Sequence, residues 1–352
     1  MTLRPYHIQA INFFSEQASR RKKSAQESLD HLLEMSNISL DRFQEAVNTA
    51  KHHARVGLHF HPDRLSSEGR AVAETLLSTG QYKNQFETGI SAGSLSYQPG
   101  GPRYQWEERL FGGAYSKPDV KPEDRPKYGA LDLLQAADGP APRFGSCYFL
   151  LSSQVNERCT FTYRDSHLDP PEKGTIEDFE DILAALFTES FEREFALGYP
   201  GLKPGHLVDK FLSLKTPEPS GISRNLDHYI ETQVHGRVDL LQDAEQLVAD
   251  QSFHGHHVGH LLESLARKYD LALRWRTPFR LPVEDCPGDF RGAVMPDFAR
   301  RVAGDSGVVD ARLIGIAAAS IHERPDQWKD FGDPEQLLQL IKRLWHTTVK
   351  YG

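Results

Sequence analysis

The segment 228–236 constrains the fold of this chain more than any other segment, because its polar and apolar side chains alternate. It reads HYIETQVHG, so on a strand Glu231, Gln233 and His235 share one face and Ile230 and Val234 share the other. A strand of this kind belongs to a sheet that buries its apolar face. The polar face then either lines a cleft or meets solvent, as one face of an antiparallel sheet commonly does.

Further strands and helices are expected around this segment. Strand patterns occur at 56–60, 147–151, 159–164 and 271–276, and the polar linker between the second and third favours their antiparallel pairing. Helical patterns occupy 1–55, in three pieces that break near Ala25 and Ser39, and recur at 175–187, 239–249, 257–269, 308–321 and 333–345. These patterns predict an α+β fold in which an N-terminal helical part precedes a mixed or antiparallel core sheet with flanking helices.

The same order of elements suggests three regions. We expect an N-terminal helical segment at 1–55, a catalytic α+β domain at 56–285, and a C-terminal helical segment at 286–352 that packs on the core. The candidate chemical residues all fall in the second region.

Charge and cysteine content narrow the class of protein. The 352 residues include 41 Lys and Arg against 49 Asp and Glu, a net charge of −8, which argues against a generally basic nucleic-acid-binding surface. Three cysteines without a CxxC pair exclude a disulfide framework and fit a reducing, cytoplasmic setting. The most apolar run, 313–321, is about half a membrane span, so no membrane partner is expected. No secretory signal is visible in the first residues, and delivery as an effector or toxin is left open.

Two histidines stand together where the first strand pattern ends. In LHFHPDR, His59 and His61 point the same way on a strand, and Pro62 stops it. Such a pair either binds a metal with Asp63 as a third ligand, or contacts the ribose or phosphate of a nucleotide with Arg64 supplying charge. A third interpretation is the HPD tripeptide of J-domain co-chaperones, but there the tripeptide joins two helices, whereas here a strand pattern precedes it. A fourth, purely structural interpretation is a polar turn after an edge strand.

A long irregular stretch, 79–126, is rich in glycine, proline and aromatic residues. Segments of this kind are usually binding loops packed by their own aromatic side chains. Within it, the segment QFETGISAG contains two glycines, which allow a ligand to approach the backbone, and two hydroxyl groups, those of Thr88 and Ser91. The segment is neither a Walker A loop nor a GxGxxG motif. Taken alone, it does not identify a ligand.

Four histidines lie within the segment SFHGHHVGH at 252–260. His256 and His260 would be one helical turn apart, which is a metal-ligand spacing. The glutamate of an HExxH motif is missing, so an incidental enrichment of histidine around a turn is favoured here.

Several of these motifs together resemble an uncharacterised bacterial family, DUF3626. The resemblance runs from about residue 56 to 280 and rests on the segments LHFHPDR, QFETGIS, RYQWEERLFGGAY, RPKYGALDLL, FGSCYFLL, RCTFTYRDS and YIETQVHGRVDL. More distantly, the order of elements is similar to that of ADP-ribosyltransferases. In those enzymes a first strand ends in His or Arg, a middle strand carries Ser or Thr, and a later strand carries a Glu.

The second resemblance implies an enzyme that takes NAD as its substrate and transfers ADP-ribose to an unidentified acceptor. Glu231 would then be the catalytic carboxylate, with Gln233 facing the acceptor. Either His59 or, if the arginine type applies, Arg64 would anchor the dinucleotide. The remaining expected NAD-binding residues are His61, Arg64, Thr88, Ser91, Tyr128, Thr160, Thr162 and His235. In the usual triplet the catalytic Glu comes last, whereas here Glu231 precedes Gln233, which leaves the individual roles of this pair open.

The expected reaction requires no metal. Breaking the nicotinamide–ribose bond creates a ribosyl cation of oxocarbenium type, which a nearby carboxylate stabilises. Two alternatives come from other classes of protein. A metal-dependent hydrolase would use the HxHPD histidines to activate water. A non-enzymatic interaction module would use the stretch 79–126 as a docking surface.

Overall fold

The computed structural model describes residues 2–66, 69–88, 100–216 and 218–352. Its strands are β1 (Arg55–Phe60), β2 (Gln81–Tyr82), β3 (Lys127–Asp132), β4 (Cys147–Leu151), β5 (Cys159–Tyr163), β6 (Lys173–Thr175), β7 (Phe195–Ala196), β8 (Tyr199–Pro200), β9 (Ile230–Val234), β10 (Val238–Asp239), β11 (Ala244–Asp250), β12 (Ala272–Arg276), β13 (Leu281–Pro282) and β14 (Val308–Val309). Its α-helices are α1 (Pro5–Met35), α2 (Leu40–His53), α3 (Val72–Thr79), α4 (Gln85–Thr88), α5 (Pro102–Leu110), α6 (Glu180–Arg193), α7 (Pro204–Ser213), α8 (Leu240–Asp243), α9 (His257–Lys268), α10 (Met295–Ala303), α11 (Ala311–Glu323) and α12 (Pro334–Tyr351).

An eight-stranded sheet in the order β12-β11-β4-β1-β3-β9-β5-β6 forms the centre of the fold. Strands β11 and β12 pair in parallel, and every other pair in this sheet is antiparallel. The α+β fold with N-terminal helices and a mixed sheet is therefore confirmed.

One face of the sheet carries the main hydrophobic core. Alternate residues of β9, Ile230 and Val234, enter this core together with Leu58 of β1 and Phe149 of β4. Helices α2, α6, α7 and α9 add apolar side chains to the same core. The alternation in 228–235 thus predicted correctly which residues of β9 are apolar and inward, and it leaves Glu231 and Gln233 on the opposite face.

The first helix is longer than the sequence indicated. Helix α1 continues through Ala25 without a break, because Ala25 is buried in the core with Leu29 and Leu33. The predicted boundary at Ser39 is confirmed, since the Ser39 side chain accepts a hydrogen bond from the Arg42 amide at the start of α2.

Two other local predictions were wrong. Strands β4 and β5 do not pair, because their linker forms a 3₁₀ turn at Ser153–Arg158, and β5 pairs instead with β9 and β6. The helix expected over 239–249 is only the four-residue α8, followed by strand β11. Leu247 and Ala249 of that strand are fully buried in the main core, so burial in the sheet outweighs the local helical pattern.

The C-terminal helix packs against the loop that follows β3. Trp345 of α12 is buried, and its Nε1 donates a hydrogen bond to the carbonyl of Pro142 over 2.9 Å. This contact holds α12 against the segment between β3 and β4. Within the described ranges, no helix combines the length and the apolar composition needed to cross a bilayer.

Candidate functional site

The polar face of β9 holds a carboxylate in a defined set of hydrogen bonds. Gln233 Nε2 donates to Glu231 Oε1 over 2.9 Å, and the Ser166 hydroxyl donates to the same oxygen. The Ser166 backbone amide lies 3.4 Å from Glu231 Oε2. Both carboxylate oxygens are therefore oriented by neighbouring donors.

The hydrogen bonds continue along the sheet away from Glu231. Thr160 Oγ1 on β5 donates to Gln233 Oε1 over 2.8 Å and lies 3.0 Å from His235 Nε2. The Tyr115 hydroxyl lies 2.5 Å from His235 Nδ1. These residues, from Ser166 through Glu231, Gln233 and Thr160 to His235 and Tyr115, form what we call the Glu231 network.

Burial changes the proton affinity of the groups in the Glu231 network. Glu231 is 6% exposed, and burial, followed by the neighbouring Asp165 charge, raises the pKa of its carboxyl to about 7, while hydrogen bonds from Ser166 and Gln233 oppose this shift. Burial also lowers the pKa of His235 well below its ordinary value, which keeps its ring neutral. A carboxyl that titrates near neutral pH is typical of functional sites.

The segment around α5 covers the polar face. The Trp106 indole donates to the Ser166 carbonyl over 3.0 Å, and the Trp106 ring lies 5.4 Å from the ring of Tyr128. The Tyr128 hydroxyl donates to Glu107, which also forms a buried ion pair with Arg125 at 2.6 Å. The aromatic stretch predicted to form a binding loop is thus packed, in its described part, against the candidate site.

Asp165 directly precedes Ser166, and its charge acts on Glu231. The side chain of Asp165 is half-buried and accepts a hydrogen bond from the Tyr229 hydroxyl over 3.1 Å. The ring of Tyr229 contacts the ring of Phe144, which is 37% exposed, at a centroid distance of 5.5 Å. Asp165, Tyr229 and Phe144 thus form a continuous row of contacts that begins next to Ser166.

His59 shares the sheet face of Glu231 but makes different contacts. In the cross-strand register Gly57 lies opposite Ala130, and Ala130 lies opposite Glu231. His59 Nδ1 lies 3.1 Å from the Gly145 carbonyl, and the Ala141 amide donates to its Nε2 over 3.3 Å. Both ring nitrogens are therefore occupied by backbone groups, and burial lowers the pKa of His59 to about 3.

The structure does not bring two other predicted binding residues to the Glu231 network. The His61 ring packs edge-on against Trp345 at 5.1 Å, and Arg64 lies 3.9 Å from Asp63. Burial lowers the pKa of both His61 and Arg64. The histidine motif after β1 therefore packs against α12 and does not extend the polar face of β9.

The remaining predicted binding residues divide between two places. Thr160 belongs to the Glu231 network, and Gln233 Nε2 lies 3.4 Å from the Thr162 hydroxyl, so the hydroxyl-bearing strand is adjacent to the carboxylate. The Thr88 hydroxyl donates to the Asn84 carbonyl over 3.1 Å at the end of α4. Ser91 lies outside the described residues.

The histidine-rich segment 252–260 remains at the surface. His254, His256, His257 and His260 are exposed, and His257 and His260 lie near Glu74 and Glu263. Among the described residues, no group of three His, Cys, Asp or Glu side chains is arranged to hold a metal ion.

Sequence reasoning missed several members of the site. Asp165 and Ser166 directly follow the strand pattern 159–164, and their position at a strand end was an available signal. Tyr115 and Trp106 are distant from Glu231 in the sequence, and nothing in their local pattern links them to it.

The fold and the site together define an α+β protein with a buried acid–amide–imidazole network on the polar face of a mixed sheet. The sequence profile of a family described as "protein of unknown function (DUF3626)" matches residues 55–351. The chain belongs to this DUF3626 family, as the motifs quoted above suggested. A search of curated proteins finds no match.

Proposed function

We propose that this protein cleaves NAD at the nicotinamide–ribose bond and transfers ADP-ribose to an acceptor, with Glu231 as the catalytic carboxylate. The observation that carries the proposal is the hydrogen-bonded environment of Glu231. Ser166 and Gln233 orient its two oxygens, and the strand that bears it is flanked by the hydroxyl-bearing strand β5.

The chemistry requires a negative charge next to a developing positive one. When the bond breaks, nicotinamide leaves as a neutral base with the electron pair, and C1′ of the ribose becomes an oxocarbenium-like cation. A carboxylate that is already fixed in place stabilises this cation without reorganising in the transition state. Glu231 is such a group, because the Ser166 and Gln233 donors restrict its orientation.

The same carboxylate can also handle the proton of the acceptor. A new bond forms between C1′ and the acceptor atom, and that atom must lose its proton. A base with a pKa near the working pH accepts this proton efficiently, and the raised pKa of Glu231 places it in this range. Where water is the acceptor, the products are nicotinamide and free ADP-ribose.

Gln233 acts as a positioning residue in this proposal. Its Oε1 accepts from Thr160 and its Nε2 donates to Glu231, so the neighbours on both sides determine the orientation of the amide. Because the side chain of Gln233 is fully buried, we propose that it orients Glu231 and does not contact the acceptor.

Release of nicotinamide from NAD tests the proposal. We expect turnover by the purified protein, and a loss of about a hundredfold or more in Glu231→Gln, which keeps the shape but removes the charge. Asp132→Asn is the matched control, because Asp132 is an equally buried carboxyl on the neighbouring strand β3. No nicotinamide release by the wild type, or equal release by Glu231→Gln, would reject the proposal.

A thermal shift assay separates the alternative classes. NAD should raise the melting temperature of the full chain, because a ligand that binds only the folded state stabilises it. A shift with zinc or manganese alone would support the metal-dependent hydrolase, and no shift with NAD or metal would support a non-enzymatic interaction module.

A further inference from the structure

Four cationic side chains from three separate segments lie together beside the candidate site. Arg143 follows β3, Arg291 precedes α10, and Lys342 and Arg343 belong to α12; we call these four residues the basic cluster. The pKa of Lys342 is lowered by burial and then by the charges of Arg143 and Arg291. The pKa of Arg291 is likewise lowered by burial and then by the charges of Arg143 and Arg343, so the four side chains form one electrostatic unit.

The positive charge of the basic cluster is poorly compensated by the protein. Asp227, which is 58% exposed, faces two guanidinium groups, because Arg143 donates to it and Arg291 lies 3.9 Å away. In the part of the chain that the structure describes, neither Lys342 nor Arg343 forms an ion pair. This concentration of positive charge occurs in a chain of net charge −8.

Several buried nitrogen atoms in this region also lack a partner. Arg143 Nε, Arg291 Nε and His346 Nδ1 are buried without a hydrogen bond among the described residues. His346 is 3% exposed and lies in the C-terminal part of α12. The two guanidinium nitrogens are donors; buried donors without partners are uncommon in folded proteins, and a bound anion is one way to satisfy them.

Arg291 and Gly292 both have positive φ angles and lie next to α12. Arg291 has a φ of 62°, in the left-handed region that long side chains rarely adopt, and Gly292 follows with a φ of 118°. A side chain at position 292 would approach Arg343, since an ideal Cβ there would lie 4.0 Å from its Nη1. The segment 291–292 therefore lies directly beside Arg343 of α12.

The basic cluster is connected to the Glu231 network through the side chains at its rim. Arg143 lies over the ring of Phe144, which contacts Tyr229, and Tyr229 donates to Asp165. The charge of Asp165 acts both on Lys342, whose pKa it raises, and on Glu231. A ligand bound at the basic cluster would therefore extend toward Asp165 and Glu231.

We propose that the basic cluster is a binding site for the diphosphate of a nucleotide. Four cations, including three guanidinium forks, match a group that carries two or more negative charges and several acceptor oxygens. A single compact cluster fits a small nucleotide better than a nucleic acid, which needs a basic stripe along its backbone. Diphosphate binding stands independently, and only the identification of the ligand as NAD rests on the proposed function.

The test uses calorimetric titration of the full chain with inorganic pyrophosphate and with adenosine diphosphate at fixed ionic strength. The double variant Lys342→Gln and Arg343→Gln should bind both ligands about tenfold or more weakly. The control, Lys22→Gln and Lys23→Gln, removes the same charge from exposed positions on α1 and should bind like the wild type. Without ligand, the first double variant should be at least as stable as the wild type, because repulsion is relieved.

The outcomes of this experiment test the diphosphate site independently of the proposed catalytic activity. Equal affinity in the wild type and the basic-cluster variant, or no binding of either ligand by the wild type at millimolar concentration, would overturn the site. Binding of pyrophosphate without any release of nicotinamide from NAD would support the site while rejecting the proposed function. Release of nicotinamide that is unchanged in the basic-cluster variant would support the proposed function and overturn its connection to this site.

Discussion

Gln233 Nε2 lies 2.9 Å from Glu231 Oε1, so two alternate residues of one strand are joined by a hydrogen bond on the polar face of the sheet. The Thr160 hydroxyl donates a hydrogen bond to Gln233 Oε1 over 2.8 Å, so the NH2 group of the same amide faces Glu231. Because an ionised carboxylate can only accept hydrogen bonds, the amide serves as the donor to the acid.

Gln233→Glu should destabilise the protein because it replaces that donor with a second acid. Two carboxyls at this spacing cannot both be ionised in a buried site, so the variant should lose about 2–4 kcal/mol of unfolding free energy at neutral pH. Gln233→Met, which removes the hydrogen bond without adding charge, is the control. Urea denaturation at pH 5 and pH 8 measures the effect, and an equal loss in Gln233→Glu at both values would contradict this account.

The raised pKa of Glu231 predicts how stability depends on pH. The folded protein holds the Glu231 proton up to about pH 7, whereas the unfolded chain releases it near the ordinary value of 4.5. The resulting stabilisation is complete below pH 4.5 and is lost as the pH rises through 7. Relative to Glu231→Gln, the wild type should therefore lose at most about 3 kcal/mol between these values. A difference between the two proteins that does not change with pH would refute the assignment.

His59 should contribute more to stability than to catalysis. His59→Ala leaves the Gly145 carbonyl and the Ala141 amide without their partner in a buried place, at a cost of about 2–4 kcal/mol. The loss of nicotinamide release should follow the folded fraction, unlike the loss in Glu231→Gln. Denaturation curves measured alongside turnover separate the two effects. A much larger loss of turnover in a fully folded His59→Ala protein would restore His59 as a ligand-binding residue.

The parts of the fold that sequence predicted are those that depend on local pattern. The alternation in 228–235 placed Glu231, Gln233 and His235 on one face, and the Asp333-Pro334 start of α12 is confirmed by the Asp333 side chain, which accepts from the Gln336 amide. Helix α9 and strand β12 also lie where their patterns indicated. In each case nearby residues are sufficient to specify the element.

The parts that sequence did not predict depend on distant partners. Strand β11 is specified by its position between β4 and β12, which overrides a helical pattern. Trp106 and Tyr115 join the candidate site only through long-range contacts with Ser166 and His235. The basic cluster likewise collects residues from three segments that are about 50–200 positions apart along the chain. Periodicity cannot report contacts of this range.

The position of bound NAD relative to residue 231 tests the central claim most directly. A crystal structure of Glu231→Gln with NAD, in which cleavage should be slow enough for the intact substrate to be seen, provides this measurement. We predict the nicotinamide ribose within hydrogen-bonding distance of the side chain at 231, with the diphosphate toward Arg143 and Lys342. NAD bound elsewhere on the protein, or no NAD at millimolar concentration, would contradict the account.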